Sequence, residues 1–245
     1  MITLTLIGIG TGNPDHLTLQ AIMAMQQADL VLIPLKGEDK ADLAGIRRAM
    51  LDRHLTKGAV QLAEFELPRR DAGDPDYLGG VDRWHDAIAD AWRGQIDRHL
   101  PDGGKVALLV WGDPSLYDSS LRIAARLDLA VMVIPGITAI QALCAAHAIP
   151  LNDLGAPVQI TTGRQLRDHG WPEGVERLVV MLDGGCAFDR MPGQTHIWWG
   201  AFLGMPQQML DHGTVAQVGP RIIERRAAAR AAHGWIMDCY LLARA

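Results

Sequence analysis

The absences in this chain narrow its function first. Cysteine is scarce: the three, Cys144, Cys186 and Cys239, are far apart and lie in apolar contexts. No Cys-x-x-Cys pair or Cys/His cluster accompanies them, so no metal site or disulfide framework is expected, and a reducing cytoplasm is the expected compartment. Positive charge is not in excess. Lys and Arg number 23 against 28 Asp and Glu, a net charge of −5, which argues against nucleic acid or a membrane surface as a partner. No apolar run approaches the ~20 residues that span a bilayer. Met1 to Ile7 is too short, and lacks the basic lead, for a secretory core. Internal repeats and low-complexity tracts are also missing. What remains is a chain with 49% apolar residues in 245, enough to bury a sizeable core.

The opening is built as strand, glycine loop, helix, strand. Ile2–Leu6 is apolar, Gly8-Ile9-Gly10-Thr11-Gly12-Asn13-Pro14 follows, then a helical stretch ending at Ala28-Asp29, then the apolar run Leu30–Leu35. This is how α/β nucleotide-binding proteins begin. Two details depart from the dinucleotide site. Asn13 stands where the third glycine belongs, and Lys36 follows the second strand where an acidic residue would hold ribose hydroxyls.

Further along, the pattern predicts a helix over Asp42–Leu55, a strand over Val60–Phe65, a loop over Pro68–Gly80 and a helix over Trp84–His99. A buried parallel-type strand is expected at Val106–Trp111, a helix at Ser119–Leu127, a strand at Ala130–Ile134 and a helix at Ala139–Ala148. Thereafter strands at Val158–Thr161, Arg177–Leu182, Thr195–Phe202 and Trp235–Leu242 follow one another closely, with a helix or two between. The expected architecture is therefore α/β in two domains, a mainly parallel N-terminal one over 1–114 and a mixed-sheet one over 115–245.

Three turns follow strands and precede helices: Gly8–Asn13, Gly112–Tyr117 and Pro135–Thr138. Ligands of open α/β sheets bind beside such turns, where helix N-termini expose unpaired N–H groups and glycine lets a ligand approach the backbone. Asp113, between Gly112 and Pro114, is placed to accept hydrogen bonds from ribose hydroxyls or an amine; its structural alternative is an Asx-turn. Thr138 has the alternative of capping its helix. His147 and His196 read as packed residues, Trp198 and Trp199 as alternating faces, and Arg225, Arg226 and Arg230 as a solvated face.

Together these loops resemble those of the tetrapyrrole methylase family. Gly8-x-Gly10-x-Gly12-Asn13-Pro14 with Leu17-Thr18, Ala28-Asp29-Leu30-Val31, Gly112-Asp113-Pro114, Pro135-Gly136-Ile137-Thr138 and Ala145–Leu151 occur in the family's order. The resemblance spans the chain and is strongest to about Asn152. Pro34-Leu35-Lys36-Gly37, Lys40, Asp42-Leu43 and the Trp198-Trp199-Gly200-Ala201 strand look like one branch, whose members methylate C1 of precorrin-5 and release acetate.

The resemblance implies S-adenosylmethionine as methyl donor, with S-adenosylhomocysteine as product, held in a cleft between the two domains. Its implied contacts are Trp111, Gly112, Asp113, Leu116, Thr138, Ala139, Leu182, Ala201 and Phe202. It implies an anionic tetrapyrrole partner bordered by the first glycine loop (Gly10, Thr11) and by Lys36, Lys40 and Tyr117, with Arg47, Arg48, Arg69 and Arg70 as further cations. Thr11 stands where many relatives have proline. A homodimer is implied as well. No Gly-x-Ser-x-Gly elbow marks a serine nucleophile, and no residue is assigned as catalytic base. Three other readings stand beside this one: a family member acting on another ring position, a nucleotide-dependent oxidoreductase, and a non-catalytic binding module.

Overall fold

The computed structural model describes residues 1–35, 41–56, 58–71 and 73–244. The chain divides into two compact units, Met1–Ile137 and Thr138–Ala245. The division falls later than the expected 114/115. Strand β5 (Ala130–Ile134) pairs in parallel with β1 (Ile2–Gly8), so the segment after Asp113 completes the first sheet before the chain leaves it.

The first unit is one parallel sheet of five strands. The other three are β2 (Leu30–Leu35), β3 (Gln61–Glu66) and β4 (Gly104–Val110), and the order is β3-β2-β4-β1-β5. Strand side chains alternate, so both faces must be covered. Leu4, Leu6, Leu30, Leu32, Val106 and Leu108 pack on one side against Ile88, Trp92 and Ile96 of helix α3 (Tyr77–His99). Ile7, Val31, Ile33, Ala107 and Leu109 pack on the other, against Ala21 and Met25 of α1 (Leu19–Gln27) and Met50 and Leu51 of α2 (Ala41–His54). Helix α3 begins seven residues before the expected Trp84. Asp76 caps it by accepting from Gly79 N, and the glycines that read as loop leave room for that carboxylate, which a Cβ at Gly79 would meet at 1.9 Å. The helix α4 after β4 is shorter than expected, Ser120–Ala124. Strand β5 is apolar as read, but it is an edge, and Val131, Met132 and Val133 are exposed.

In the second unit, helix α5 (Ala139–His147) leads into a mixed sheet: β6 (Val158–Thr162), β7 (Arg177–Met181), β8 (His196–Ala201), β9 (Met209–Thr214) and β10 (Asp238–Ala243). Its order is β6-β7-β10-β8-β9; only β6 and β7 run parallel. Strand β9 was not legible, because Asp211, His212 and Gly213 have low strand propensity and are tolerated at an edge. Helix α6 (Gly163–His169) and helix α7 (Val215–His233) complete the unit. Pro220 hides α7 from a pattern reading, yet a Thr214/Gln217 capping box starts it. Among the described residues no helix is long and apolar enough to cross a membrane.

Candidate functional site

In the first unit the carboxyl ends of β1, β4 and β5 are locked together through glycine. Gly10 N donates to Gly112 O at 3.1 Å and Gly112 N to Gly10 O at 2.8 Å. A Cβ at Gly8 would stand 2.5 Å from Gly136 N, and one at Gly136 would stand 2.2 Å from Gly112 O. Only hydrogen fits at these two points. The bridge uses the N–H of both Gly10 and Gly112, so neither has a backbone donor left to offer, while each carbonyl keeps a second lone pair. Gly112 differs on one count: its φ is +65° and a Cβ there would meet nothing within 4 Å, so space remains on its outer side.

Asp113 fastens the same junction. Its Oδ1 accepts from Ser115 N at 2.8 Å and from Ser115 Oγ; its Oδ2 accepts from Gly136 N at 2.9 Å. The Asx-turn alternative is thus realised, and the carboxylate also ties the β4 loop to the β5 loop. Burial raises its pKa, but the bonds from Ser115 and Gly136 together outweigh burial and hold the carboxyl below its usual range. A carboxylate has about four acceptor positions, which leaves one for a ligand. Trp111 and Leu116 are half-buried beside it, and Tyr117 is exposed. Burial raises the Tyr117 phenol pKa.

Thr11 is buried, and its Oγ1 has no partner among the described residues. Lys36 and Lys40 lie outside the described residues. Of the other cations, Arg48 is paired with Glu64, and Arg70 lies over the Tyr77 ring, 5.1 Å from its centroid. Arg47 turns inward. Its Nε donates to Leu109 O at 3.0 Å, next to the end of β4, and burial pushes its pKa down to about 10, with Asp118 opposing.

In the second unit Thr138 caps α5: its Oγ1 accepts from Ile140 N at 3.2 Å, and Gln141 closes a capping box. Leu182 follows β7, and Ala201 ends β8 with Phe202 after it. Ala201 and Phe202 are buried, whereas Leu182 is 64% exposed. Phe202 packs edge-on against Trp235 at 5.0 Å.

One feature links several of these positions. Among the described residues five non-glycine residues have positive φ: Tyr117, Ala148, Leu182, Cys186 and Phe202. Ala148 is a helix C-cap and Cys186 starts a short 3-10 turn, places where such backbone is ordinary. Tyr117, Leu182 and Phe202 lie in loops after strands and are candidate site residues. Non-glycine left-handed backbone costs about 1–3 kcal/mol and concentrates at functional sites.

A buried network behind Leu182 escaped the sequence reading. Asp183 accepts from Gly185 N at 3.0 Å, Ala187 N at 2.6 Å, Tyr240 Oη at 2.7 Å and Arg167 Nη1 at 2.7 Å. Burial raises its pKa, but these bonds together bring the carboxyl below the usual range; burial and Asp183 lift the Tyr240 phenol well above its usual value. Arg226, expected on a solvated face, is only 11% exposed and pairs with Asp238 at 2.8 Å; Trp199 Nε1 donates to the same carboxylate at 2.9 Å. The one available signal was an acidic residue directly after a buried strand. His147 is packed as expected, its Nε2 3.0 Å from Trp199 O. Trp199 is fully buried, while Trp198 is half-buried beside His196.

A parallel sheet with three glycine-locked strand ends, followed by a mixed-sheet unit, fits a methylase class, and comparison with known proteins defines it. The chain belongs to the Tetrapyrrole (Corrin/Porphyrin) Methylases, whose family pattern matches residues 3–219. Within that family it is 48% identical over 249 residues to a precorrin-6A synthase [deacetylating] from Sinorhizobium sp, covering 99% of this chain and 95% of the relative. Among solved structures, a cobalamin synthesis related protein (CobF) from Corynebacterium diphtheriae superposes with a TM-score of 0.84 at 41% identity, covering 99% of this chain and 98% of that one. A uroporphyrin-III C-methyltransferase from Thermus thermophilus, solved in complex with S-adenosylhomocysteine, shares the fold at a TM-score of 0.59 and 16% identity over 99% of this chain and 97% of its own.

Proposed function

We propose that this chain is an S-adenosylmethionine-dependent C-methyltransferase that methylates C1 of precorrin-5 and releases acetate, giving precorrin-6A. The observation that carries this is 48% identity to a precorrin-6A synthase [deacetylating] along nearly the whole of both chains. The donor would be held by Trp111, Gly112, Asp113 and Leu116 of the first unit and by Thr138, Ala139, Leu182, Ala201 and Phe202 of the second. Gly10, Thr11, Lys36, Lys40 and Tyr117 would meet the tetrapyrrole. The first unit serves the tetrapyrrole, and the second shares in holding the donor.

When bound, the donor supplies an electrophilic methyl on a sulfonium that departs without acid assistance. The residues therefore need chiefly to align partners, and good alignment lowers a barrier by roughly 7–11 kcal/mol. A locked glycine junction with few movable side chains suits that task. The space beside Gly112 and the spare acceptor position on Asp113 suit a polar part of the donor. Release of acetate places the oxygen of a water molecule on the departing acyl carbon. A cytoplasmic homodimer belongs to this reading, supported by the uncovered apolar edge Val131–Val133.

Incubation with precorrin-5 and methyl-labelled donor tests the reading. Label in the tetrapyrrole together with stoichiometric acetate is expected. Transfer without acetate, or transfer only to a different precorrin, would point to another member of the family.

A further inference from the structure

The second unit carries a cavity that none of the proposed donor or substrate residues lines. It has a volume of about 550 Å³ and lies among the end of α5 (Ala146, His147), the middle of β9 (Leu210, Asp211, His212) and α7 (Arg221, Arg225). Arg221 and Arg225 are four residues apart on a helix, so they share a face. Asp211, 7% exposed, accepts from Arg221 Nε and Nη2, each at 2.7 Å, and from Arg225 Nη1 at 3.3 Å. Arg225 Nη1 also donates to Leu210 O at 2.8 Å, and its guanidinium lies over the Trp199 ring, 5.8 Å from the centroid.

Both guanidinium groups are thus held in place, yet each uses only some of its five donors. Among the described residues no acceptor takes Arg221 Nη1, Arg225 Nε or Arg225 Nη2. The His147 and His212 rings meet edge-on at 5.8 Å. Because the Trp199 carbonyl can only accept, the His147 proton sits on Nε2, and burial favours the neutral ring. Two guanidinium groups against one carboxylate give the cavity a positive excess, on a chain whose net charge is −5. A metal does not fit: the Asp211 oxygens already accept from both guanidinium groups, and among the described residues no three His, Cys, Asp or Glu side chains are placed to hold one.

We propose that this cavity is a second binding site, separate from the methyl-donor residues, for an organic anion bearing carboxylates. Guanidinium forks match carboxylate geometry and bind it through paired, charge-assisted bonds. Asp211 preorganises the two forks, His212 lies at the same wall, and Ala146 and Leu210 offer apolar contact to the carbon skeleton. The volume lies within the range of small-molecule sites. A tetrapyrrole is too large to enter whole, but one of its carboxylate arms would reach the same groups. The site stands whether or not the methylase reading does.

Calorimetric titration of the full chain at low ionic strength tests this, with citrate as small polycarboxylate and uroporphyrin III as a carrier of carboxylate arms. Arg225→Gln leaves the Arg221–Asp211 pair intact. Arg221→Gln combined with Asp211→Asn removes that pair together, so no carboxylate is left buried alone. Wild type is expected to bind at least one of the two anions, and each variant to weaken that binding roughly tenfold or more. S-adenosylhomocysteine binding should be unaffected by either change. Citrate binding identifies a free small anion as the ligand; uroporphyrin binding alone identifies a tetrapyrrole arm. Binding of neither anion, or equal binding by wild type and folded Arg225→Gln, overturns the proposal.

Discussion

Two carboxylates, Asp113 and Asp183, organise the loops that carry the candidate site, and both are held ionised by backbone N–H groups. Asp113→Ala removes the acceptor of Ser115 N, Ser115 Oγ and Gly136 N. S-adenosylhomocysteine affinity should fall by an amount on the order of 1–3 kcal/mol; calorimetry that finds wild-type affinity would remove Asp113 from the donor site. Its pH dependence follows from the sign of the shift. The folded carboxyl lies below its ordinary value of 3.8, so its contribution is complete above that value and is lost as pH falls through the folded pKa. Donor affinity is therefore expected to stay flat above about pH 4, as far as this group is concerned, and to drop only as pH falls below 3.8 through the folded pKa. Asp183→Asn leaves Arg167 without its charge partner and disturbs four bonds at a residue 4% exposed. Arg167 is 26% exposed and can be rehydrated, so the expected cost is that of disturbed buried hydrogen bonds, about 1–3 kcal/mol, a loss that urea unfolding would read directly. Asp113 was legible because Gly-Asp-Pro at a strand end is distinctive. Asp183 was not, because its partners Arg167, Ala187 and Tyr240 are scattered along the chain.

At the scale of elements, the strand ends are joined by contacts that admit no side chain. Gly136→Ala would set a Cβ 2.2 Å from Gly112 O and 2.8 Å from Gly8 Cα. Overpacking of this kind costs typically about 1–3 kcal/mol, or more, and it pushes apart the loop that Asp113 holds. Lower thermal stability and weaker donor binding should appear together. Gly112→Ala is a contrasting case. Its Cβ meets nothing within 4 Å, so only the left-handed backbone at φ +65° is penalised, by roughly 1–2 kcal/mol. A Gly112→Ala variant less stable than Gly136→Ala would show that backbone conformation, not contact, governs the junction. The elements that periodicity located, β1, β2, β5 and α5, are those whose apolar pattern and boundary residues agree. Those it missed, β9 and the start of α3, contain Asp, His or Gly: Asp211 lies on an edge strand where Arg221 and Arg225 of α7 hold it, and Asp76 is a local cap set among glycines that read as loop.

For the whole molecule, a ligand that binds only the folded chain stabilises it by mass action. S-adenosylhomocysteine at about a hundredfold excess over its Kd should add about 2.7 kcal/mol, seen as a rise in melting temperature, while NAD should add nothing. Stabilisation by NAD instead would revive the oxidoreductase reading that Asn13 and Lys36 argue against. The sequence by itself determined the parallel α/β character of the first unit, the three strand-end turns and the family, because each depends on local apolar period and on glycine at fixed positions. The tertiary structure alone decided where the units divide, since β5 joins β1 only through a long-range pairing. It alone turned Arg226 inward and gathered Asp183, Tyr240 and Asp238 behind Leu182. It also pinned Arg221 and Arg225 beside His147. Those outcomes depend on which residues meet across the sheets and on what burial does to their charges, and neither is written in the spacing of residues along a chain.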